Sequence, residues 1–119
     1  MGSLLDLTGT TVKVTSSTDK QDIRDAAEVL GIDAFDLQMG MVQSSFTSIT
    51  IAVYTSAELT ENEDAWEEVL SFTAVTSAPD YELKSQERGF LRYLRWRVKA
   101  VTGAGTAHFW IKGVGRRYG

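Results

Sequence analysis

Hydrophobic and polar residues alternate most regularly between Phe90 and Thr102, in the segment FLRYLRWRVKAVT. Successive side chains of a β-strand point to opposite faces, so this alternation predicts one long strand with one apolar face. A helix is not predicted, because the charged residues at positions 92, 95, 97 and 99 would interrupt any apolar stripe. The side chains that we expect to face inward are Phe90, Leu94, Trp96, Val98 and Ala100.

A second alternating segment, Thr106 to Lys112, follows the short loop Gly103-Ala104-Gly105. Two strands joined by a short glycine-containing loop predict a β-hairpin. We expect Val98 opposite Phe109, with the first two loop residues as the turn, and a three-residue loop with a bulge is the alternative. This register predicts one exposed face that carries Tyr93, Arg95, Arg97, Lys99, His108, Trp110 and Lys112.

Shorter alternating segments, separated by turn-forming residues, predict further strands at 10–15, 35–42, 46–54, 66–74 and 81–83. Residues 20–30 are the one helix candidate, because their apolar residues have helical spacing and a glycine follows. We therefore predict a single all-β domain, residues 1–119, folded as an antiparallel, jelly-roll-like β-sandwich with at most one short helix. The predicted core contains Phe35, Leu37, Ile49, Ile51, Val53, Leu70, Phe72, Leu94, Trp96, Val98, Phe109 and Ile111.

Charge is distributed unevenly along the chain. The net charge is −4, which argues against general binding of nucleic acid. Residues 1–80 carry a balance of −11 and residues 81–119 a balance of +7. This asymmetry can complement a partner or a neighbouring copy of the chain. Alternatively, the two halves interleave in one sandwich and their charges mix on its surface.

Several classes of protein are disfavoured by composition. The chain has no cysteine, so neither a disulfide framework nor a thiolate zinc site is predicted. No apolar run approaches the roughly 20 residues that span a bilayer, so no membrane segment is expected. The N-terminal MGSLLDLTG lacks the basic and apolar regions of a secretory signal.

No group of residues predicts a reaction, a cofactor or a metal. His108 is the only imidazole, and no nucleophile motif accompanies it, so we expect no enzymatic activity. Acidic residues are concentrated between Glu58 and Glu68, which predicts a solvated loop. A Ca²⁺ site there is the disfavoured alternative, because the spacing of a calcium-binding loop is absent.

The exposed face of the predicted hairpin is the candidate interface. Tryptophan and arginine dominate the energetics of many interfaces, although arginine stems can instead cover Trp110 and shield it from water. The apolar residues 4–7 and the basic residues 116–118 are further candidates, as terminal arms that order on contact with a partner. The predicted interface residues are Tyr93, Arg95, Arg97, Trp110, Lys112, Arg116 and Arg117.

The order of segments between residues 35 and 115 resembles that of small β-sandwich virion proteins of tailed phages and prophages. The segments that carry the resemblance are ITIAVYTS, an acidic loop, Trp66 before LSFTAV, then GFLRYLRWRVKA, a glycine turn and TAHFWIKG. The outline is also similar to discoidin-like and carbohydrate-binding sandwiches. The chain departs from the pattern because it lacks the aspartate that is expected soon after Ser56, where Glu58 is the nearest acidic residue. Residues 20–30 have no counterpart in these proteins.

The resemblance implies a non-enzymatic structural protein of a virion, such as a head decoration, spike or head–tail component. It implies assembly in the host cytoplasm, many copies or a homo-oligomer, and capsid or other virion proteins as partners. The alternative is a carbohydrate-binding, lectin-like module, in which Trp110 and Tyr93, or Trp66, form a stacking platform for a glycan. Neither direct nucleic-acid contact nor a membrane is expected.

Overall fold

The computed structural model describes residues 2–118, which form β-strands and two single-turn 3₁₀ helices, Ile23–Asp25 and Glu63–Ala65. Within this range no helix has the length and apolar character needed to cross a membrane. The strands are β1 (Gly2–Asp6), β2 (Val12–Val14), β3 (Ala27–Glu28), β4 (Ala34–Ser44), β5 (Ser48–Ser56), β6 (Glu67–Ser71), β7 (Asp80–Glu87), β8 (Tyr93–Thr102) and β9 (Ala107–Arg116).

The strands form two antiparallel sheets that pack against each other. Sheet 1 has the order β1-β9-β4-β7, with β2 also paired to β9, and sheet 2 has the order β3-β8-β5-β6. The pairings β5–β6, β4–β7, β3–β8 and β2–β9 are nested, so they describe one two-stranded ribbon. Pairing of β4 with β9 and of β5 with β8 closes this ribbon into a jelly roll. The predicted all-β, jelly-roll-like sandwich is confirmed.

The predicted hairpin between residues 90–102 and 106–112 is wrong. Strand β8 pairs with β3 and β5 in sheet 2, whereas β9 pairs with β1, β2 and β4 in sheet 1. Trp96 and Phe109 face each other across the core instead, with ring centroids 5.0 Å apart and an edge-to-face geometry. Alternation identifies which side of each strand faces the core. It does not show whether two such strands are neighbours in one sheet or lie in opposite sheets and face each other across the core.

The helix predicted over residues 20–30 is also wrong, apart from the single turn Ile23–Asp25. This segment supplies backbone partners to the edge of β8. The Gln21 N–H donates to Trp96 O at 3.0 Å, and the Val98 N–H donates to Asp19 O at 2.9 Å. The buried Gln21 side chain also donates to Leu7 O and accepts from the Trp96 N–H. These long-range hydrogen bonds outweigh the weak helical preference of a short segment.

The core lies between the two sheets, and the prediction of its composition is confirmed. Ala100 is an exception among the residues expected to face inward, because Thr50 pairs with Ala100 but Ile51 pairs with Val98, so that Lys99 is an extra residue that forms a bulge in β8. The bulge places Val101, rather than Ala100, against the core. All of the predicted core residues are buried: Phe35, Leu37, Ile49, Ile51, Val53, Leu70, Phe72, Leu94, Trp96, Val98, Phe109 and Ile111.

Both segments predicted as terminal arms belong to the body of the fold. Leu5 and Leu7 are buried, and β1 pairs with β9 along its whole length. The basic C-terminal segment continues β9 as far as Arg116. Beyond it, the Tyr118 N–H donates to the Asp33 carboxylate at 2.7 Å. These contacts leave neither segment as a free docking arm.

Candidate binding faces

The outer face of sheet 2 is charged, and a loop covers much of it. Arg95 points outward from β8, yet only 1% of its surface is exposed. Its guanidinium lies over the Trp66 ring, 4.5 Å from the centroid, and donates a hydrogen bond to Glu63. A buried charge is tolerated only when it is paired, so the Glu63 carboxylate holds Arg95 in place.

The loop that covers Arg95 has its own local structure. Asn62 caps the 3₁₀ helix Glu63–Ala65, because its side chain accepts from the Asp64 N–H at 3.1 Å. The indole N–H of Trp66 donates to Thr60 O at 2.8 Å. Trp66 is buried, so it cannot serve as the exposed stacking platform that was one of the predictions for a glycan.

Glu63 is the centre of a charge network on this face. Lys20 Nζ and Arg97 Nε lie 3.7 Å and 3.4 Å from Glu63 Oε1, while Arg95 contacts the other oxygen. Partial burial by itself raises the pKa of Glu63. The hydrogen bond from Arg95 and the three positive charges outweigh that effect and hold the pKa below its usual value of 4.5.

The remaining charges on the outer face of sheet 2 are also used within the chain. Arg97 stacks over the Tyr54 ring at 4.5 Å, and Lys99 pairs with Glu68 at 3.0 Å. Tyr93 lies beneath the Arg92 guanidinium at 5.2 Å. Arg95 and Arg97, two of the arginines that the sequence suggested as an interface, therefore already have carboxylate and aromatic partners within the same chain.

The outer face of sheet 1 has a different character. Strand register places its outward side chains in rows across the sheet, and we call three neighbouring rows of this surface the Trp110 face. Trp110 lies opposite Gly40, which lies opposite Tyr81, and the two aromatic rings are 6.3 Å apart. The rows of the Trp110 face are Leu4–Val114–Asp36–Ser85, Asp6–Lys112–Gln38–Leu83 and Trp110–Gly40–Tyr81, with Val42 at its end.

Gly40 is the residue that lets Trp110 lie down on the sheet. A Cβ atom at position 40 would sit 2.3 Å from Trp110 Cε2 and 2.6 Å from its Nε1. The indole therefore occupies the space above the glycine backbone. Beside it, Thr10, Thr11 and Lys112 complete a shallow cavity of about 280 Å³. Trp110 and Lys112 thus share a surface with hydroxyl groups and with a second aromatic ring.

The structure divides the predicted interface residues among several places. Trp110 and Lys112 lie together on the Trp110 face, and Arg116 lies at its border, where its Nε is 3.2 Å from Asp36. Arg117 is exposed beside Gly31. Tyr93, Arg95 and Arg97 lie on the opposite side of the sandwich, so the single face expected from the hairpin does not exist. Whether any of these residues contacts a partner stays a prediction.

Gly40 and Tyr81 also belong to this surface, although neither was among the predicted interface residues. The signal for Tyr81 was weak, because β7 is an edge strand with Tyr81 and Leu83 exposed. Gly40 interrupts an apolar segment, and a lone glycine within a strand marks a close approach of another group. Within the described residues 2–118, no cluster of three or more His, Cys, Asp or Glu side chains is arranged to hold a metal ion.

Comparisons with known proteins support the fold alone. No protein family and no curated protein sequence matches this chain. The structure is similar to the K3 cleaved adhesin domain of Lys-gingipain from Porphyromonas gingivalis W83, with a TM-score of 0.52 and 14% sequence identity. That match covers 76% of this chain and 60% of the adhesin chain, which is less than two thirds of its length.

A second similar structure comes from a prophage. The SPBc2 prophage-derived protein YomS matches with a TM-score of 0.47 and 14% identity, over 96% of this chain and 93% of its own. The adhesin domain shows that a protein of unrelated sequence adopts a similar sandwich, and fold does not determine function.

Proposed function

We propose that this protein is a non-enzymatic structural component of a phage-like particle, present there in many copies. The observation that supports the proposal is the Trp110 face. It carries exposed leucine, tyrosine and valine side chains that contribute nothing to the protein's own core. Exposed apolar surface on one side of a sandwich is typical of proteins that make contacts within an assembly. The resemblance of the strand order to small virion proteins agrees with this proposal.

The available side-chain chemistry also favours a structural role. His108 is the only imidazole, and its neighbours across the sheet are Lys13 and Gln43. Neither neighbour is a hydroxyl or thiol nucleophile that a histidine base could activate. In a repeated assembly, many modest contacts act together, so each interface can be small.

The proposal is tested on particles purified from the native host. We expect mass spectrometry to find this chain among the particle proteins, at many copies relative to components of low copy number. Purified protein added to particles that lack it should bind and co-sediment with them. Absence of the chain from particles, together with no binding when it is added back, would refute the proposed function.

A second candidate is a carbohydrate-binding module, and the Trp110–Gly40–Tyr81 row is the observation that favours it. A flat aromatic ring beside hydroxyl groups is suited to stacking against a sugar, with hydrogen bonds at its edge. Tyr93 lies on the opposite sheet and cannot take part, whereas Tyr81 can. We expect glycan titrations to change the tryptophan fluorescence of the natural protein but not of Trp110→Ala. Glycan arrays that stay blank with and without Ca²⁺ would remove this candidate.

A further inference from the structure

Exposed apolar side chains are concentrated on the Trp110 face. Among residues 4–118, nine large hydrophobic side chains are exposed, and five of them belong to this face. Leu4 and Leu83 are 90% and 64% exposed. The five side chains are Leu4, Val42, Tyr81, Leu83 and Val114, and the half-buried Trp110 lies among them.

The centre of the face is flat. Gly40 has no side chain, and the Trp110 indole fills the space above it instead of projecting from the sheet. Flat sheet faces pack against one another at about 10 Å, with their side chains in contact. Tryptophan and tyrosine side chains within such a contact supply much of its binding energy.

Charge on the face is nearly balanced, although the whole chain carries −4. Its three rows contain Asp6, Asp36 and Lys112, and Arg116 compensates Asp36 at 3.2 Å. Two copies that met through this face would therefore bring no large excess of like charge together. An anionic chain associates with itself more readily through a surface that carries no excess of like charge.

We propose that the Trp110 face binds a second copy of this chain, face to face about a two-fold axis. This deepens the proposed function, because it names a partner for the face that supports it. Four strands about 4.8 Å apart and about eight residues long outline on the order of 500 Å² per copy. Two copies would bury about 1,000 Å² in total, which is near the lower limit for a specific interface. The expected dimer is therefore weak, with dissociation in the micromolar range.

Analytical ultracentrifugation of the full chain, from about 1 to 300 µM, tests this proposal. We expect the average mass of the natural protein to rise from 13.1 kDa toward twice that value. Leu83→Lys should raise the dissociation constant at least about tenfold, because it places a charge in the apolar contact. Leu30→Lys is the matched control, since Leu30 is 65% exposed and lies outside the face, beside Leu91.

The control variant should leave the dissociation constant within about twofold of the natural value. Leu4→Lys, at the opposite side of the face, provides a second variant that should weaken the dimer as Leu83→Lys does. Circular dichroism and thermal unfolding verify that each variant folds. A natural protein that stays monomeric throughout this range overturns the proposal, as does equal weakening by Leu30→Lys and Leu83→Lys.

The outcome can be separated from that of the proposed function. A protein that is monomeric in solution, but loses particle attachment in Leu83→Lys, overturns the dimer and supports a virion partner at this face. A monomer whose tryptophan fluorescence responds to a glycan in the natural protein but not in Trp110→Ala overturns the dimer in favour of the carbohydrate candidate. A dimer that depends on Leu83, in a protein absent from particles, supports the dimer and refutes the virion role.

Discussion

The two outer faces of the sandwich differ in how their side chains are satisfied. On sheet 2, Arg95 and Arg97 are matched by Glu63 and by aromatic rings of the same chain. On sheet 1, Leu4 and Leu83 have no comparable cover. Arginine-rich sequence therefore marks the face that is internally stabilised, and sparse apolar residues mark the face that is open to a partner. Residue types that are common in interfaces, such as arginine, indicate an interface only when their charged and hydrogen-bonding groups are not already paired within the same chain.

The largest expected effect is on the stability that the charge network gives to the outer face of sheet 2. Glu63→Gln measures this contribution. The substitution removes the charge that compensates Arg95, which is 1% exposed. Breaking a buried pair by neutralising one partner is costly, and because 31% of the Glu63 side chain is exposed we expect about 2–3 kcal/mol. Chemical denaturation at neutral pH gives the change in free energy of unfolding.

Glu68→Gln is the matched control for this variant, because the Lys99–Glu68 pair is exposed on the same face. Its expected cost is below about 0.5 kcal/mol. The folded-state pKa of Glu63 is lowered, so the stabilisation is present above pH 4.5 and is lost as the pH falls through the folded value. Glu63→Gln should therefore flatten the loss of stability in acid. If Glu63→Gln and Glu68→Gln lowered the free energy of unfolding equally, the outer face of sheet 2 would not be stabilised by its buried Arg95–Glu63 pair.

A smaller effect is expected from Gly40→Ala on the Trp110 face. The new methyl group would meet the Trp110 ring at 2.3 Å, so the indole must move away from the sheet. Because the obstacle is the end of a side chain rather than backbone, we expect a cost of about 1–2 kcal/mol. Tryptophan fluorescence and denaturation measure the displacement and its cost.

The double variant Gly40→Ala/Trp110→Ala isolates this contact. In the absence of the indole, alanine at position 40 should cost nothing measurable, since the three heavy atoms nearest to the added methyl group all belong to the Trp110 ring. A full cost that persists without Trp110 would mean that the glycine is needed for the backbone rather than for the ring.

Strands and core were largely predictable from the chain alone. Alternation has a period of two wherever one side of a strand is buried, so β4, β5 and β8 were located to within a few residues. Strand β7 was underestimated as residues 81–83, whereas it spans Asp80–Glu87. Its exposed side chains include Tyr81 and Leu83, and its partly buried ones include Glu82 and Lys84. This inverted pattern is typical of an edge strand that resists further pairing.

The candidate site was predictable only in part. Trp110 and Lys112 share a parity on one strand, so their common face followed from alternation. Tyr81 comes from a strand that is distant in sequence, and β4 separates it from β9. The neutralisation of Arg95 depends on a loop more than 30 residues away, whose position no local pattern indicates. Contacts of this kind require the pairing of the strands to be known.

The sequence by itself determined which side chains point inward, except beside the bulge at Ala100, because burial on one face imposes a local period on each strand. Only the tertiary structure decided which strands are neighbours. Nearly every residue offers the same backbone N–H and C=O groups for pairing, so no local feature of the β8 and β9 sequences excludes a hairpin between them. The nested ribbon excludes it, since β8 is already paired with β3 and β5, and β9 with β2 and β4. Closure of the whole jelly roll therefore placed Trp110 and Arg95 on opposite sides of the protein.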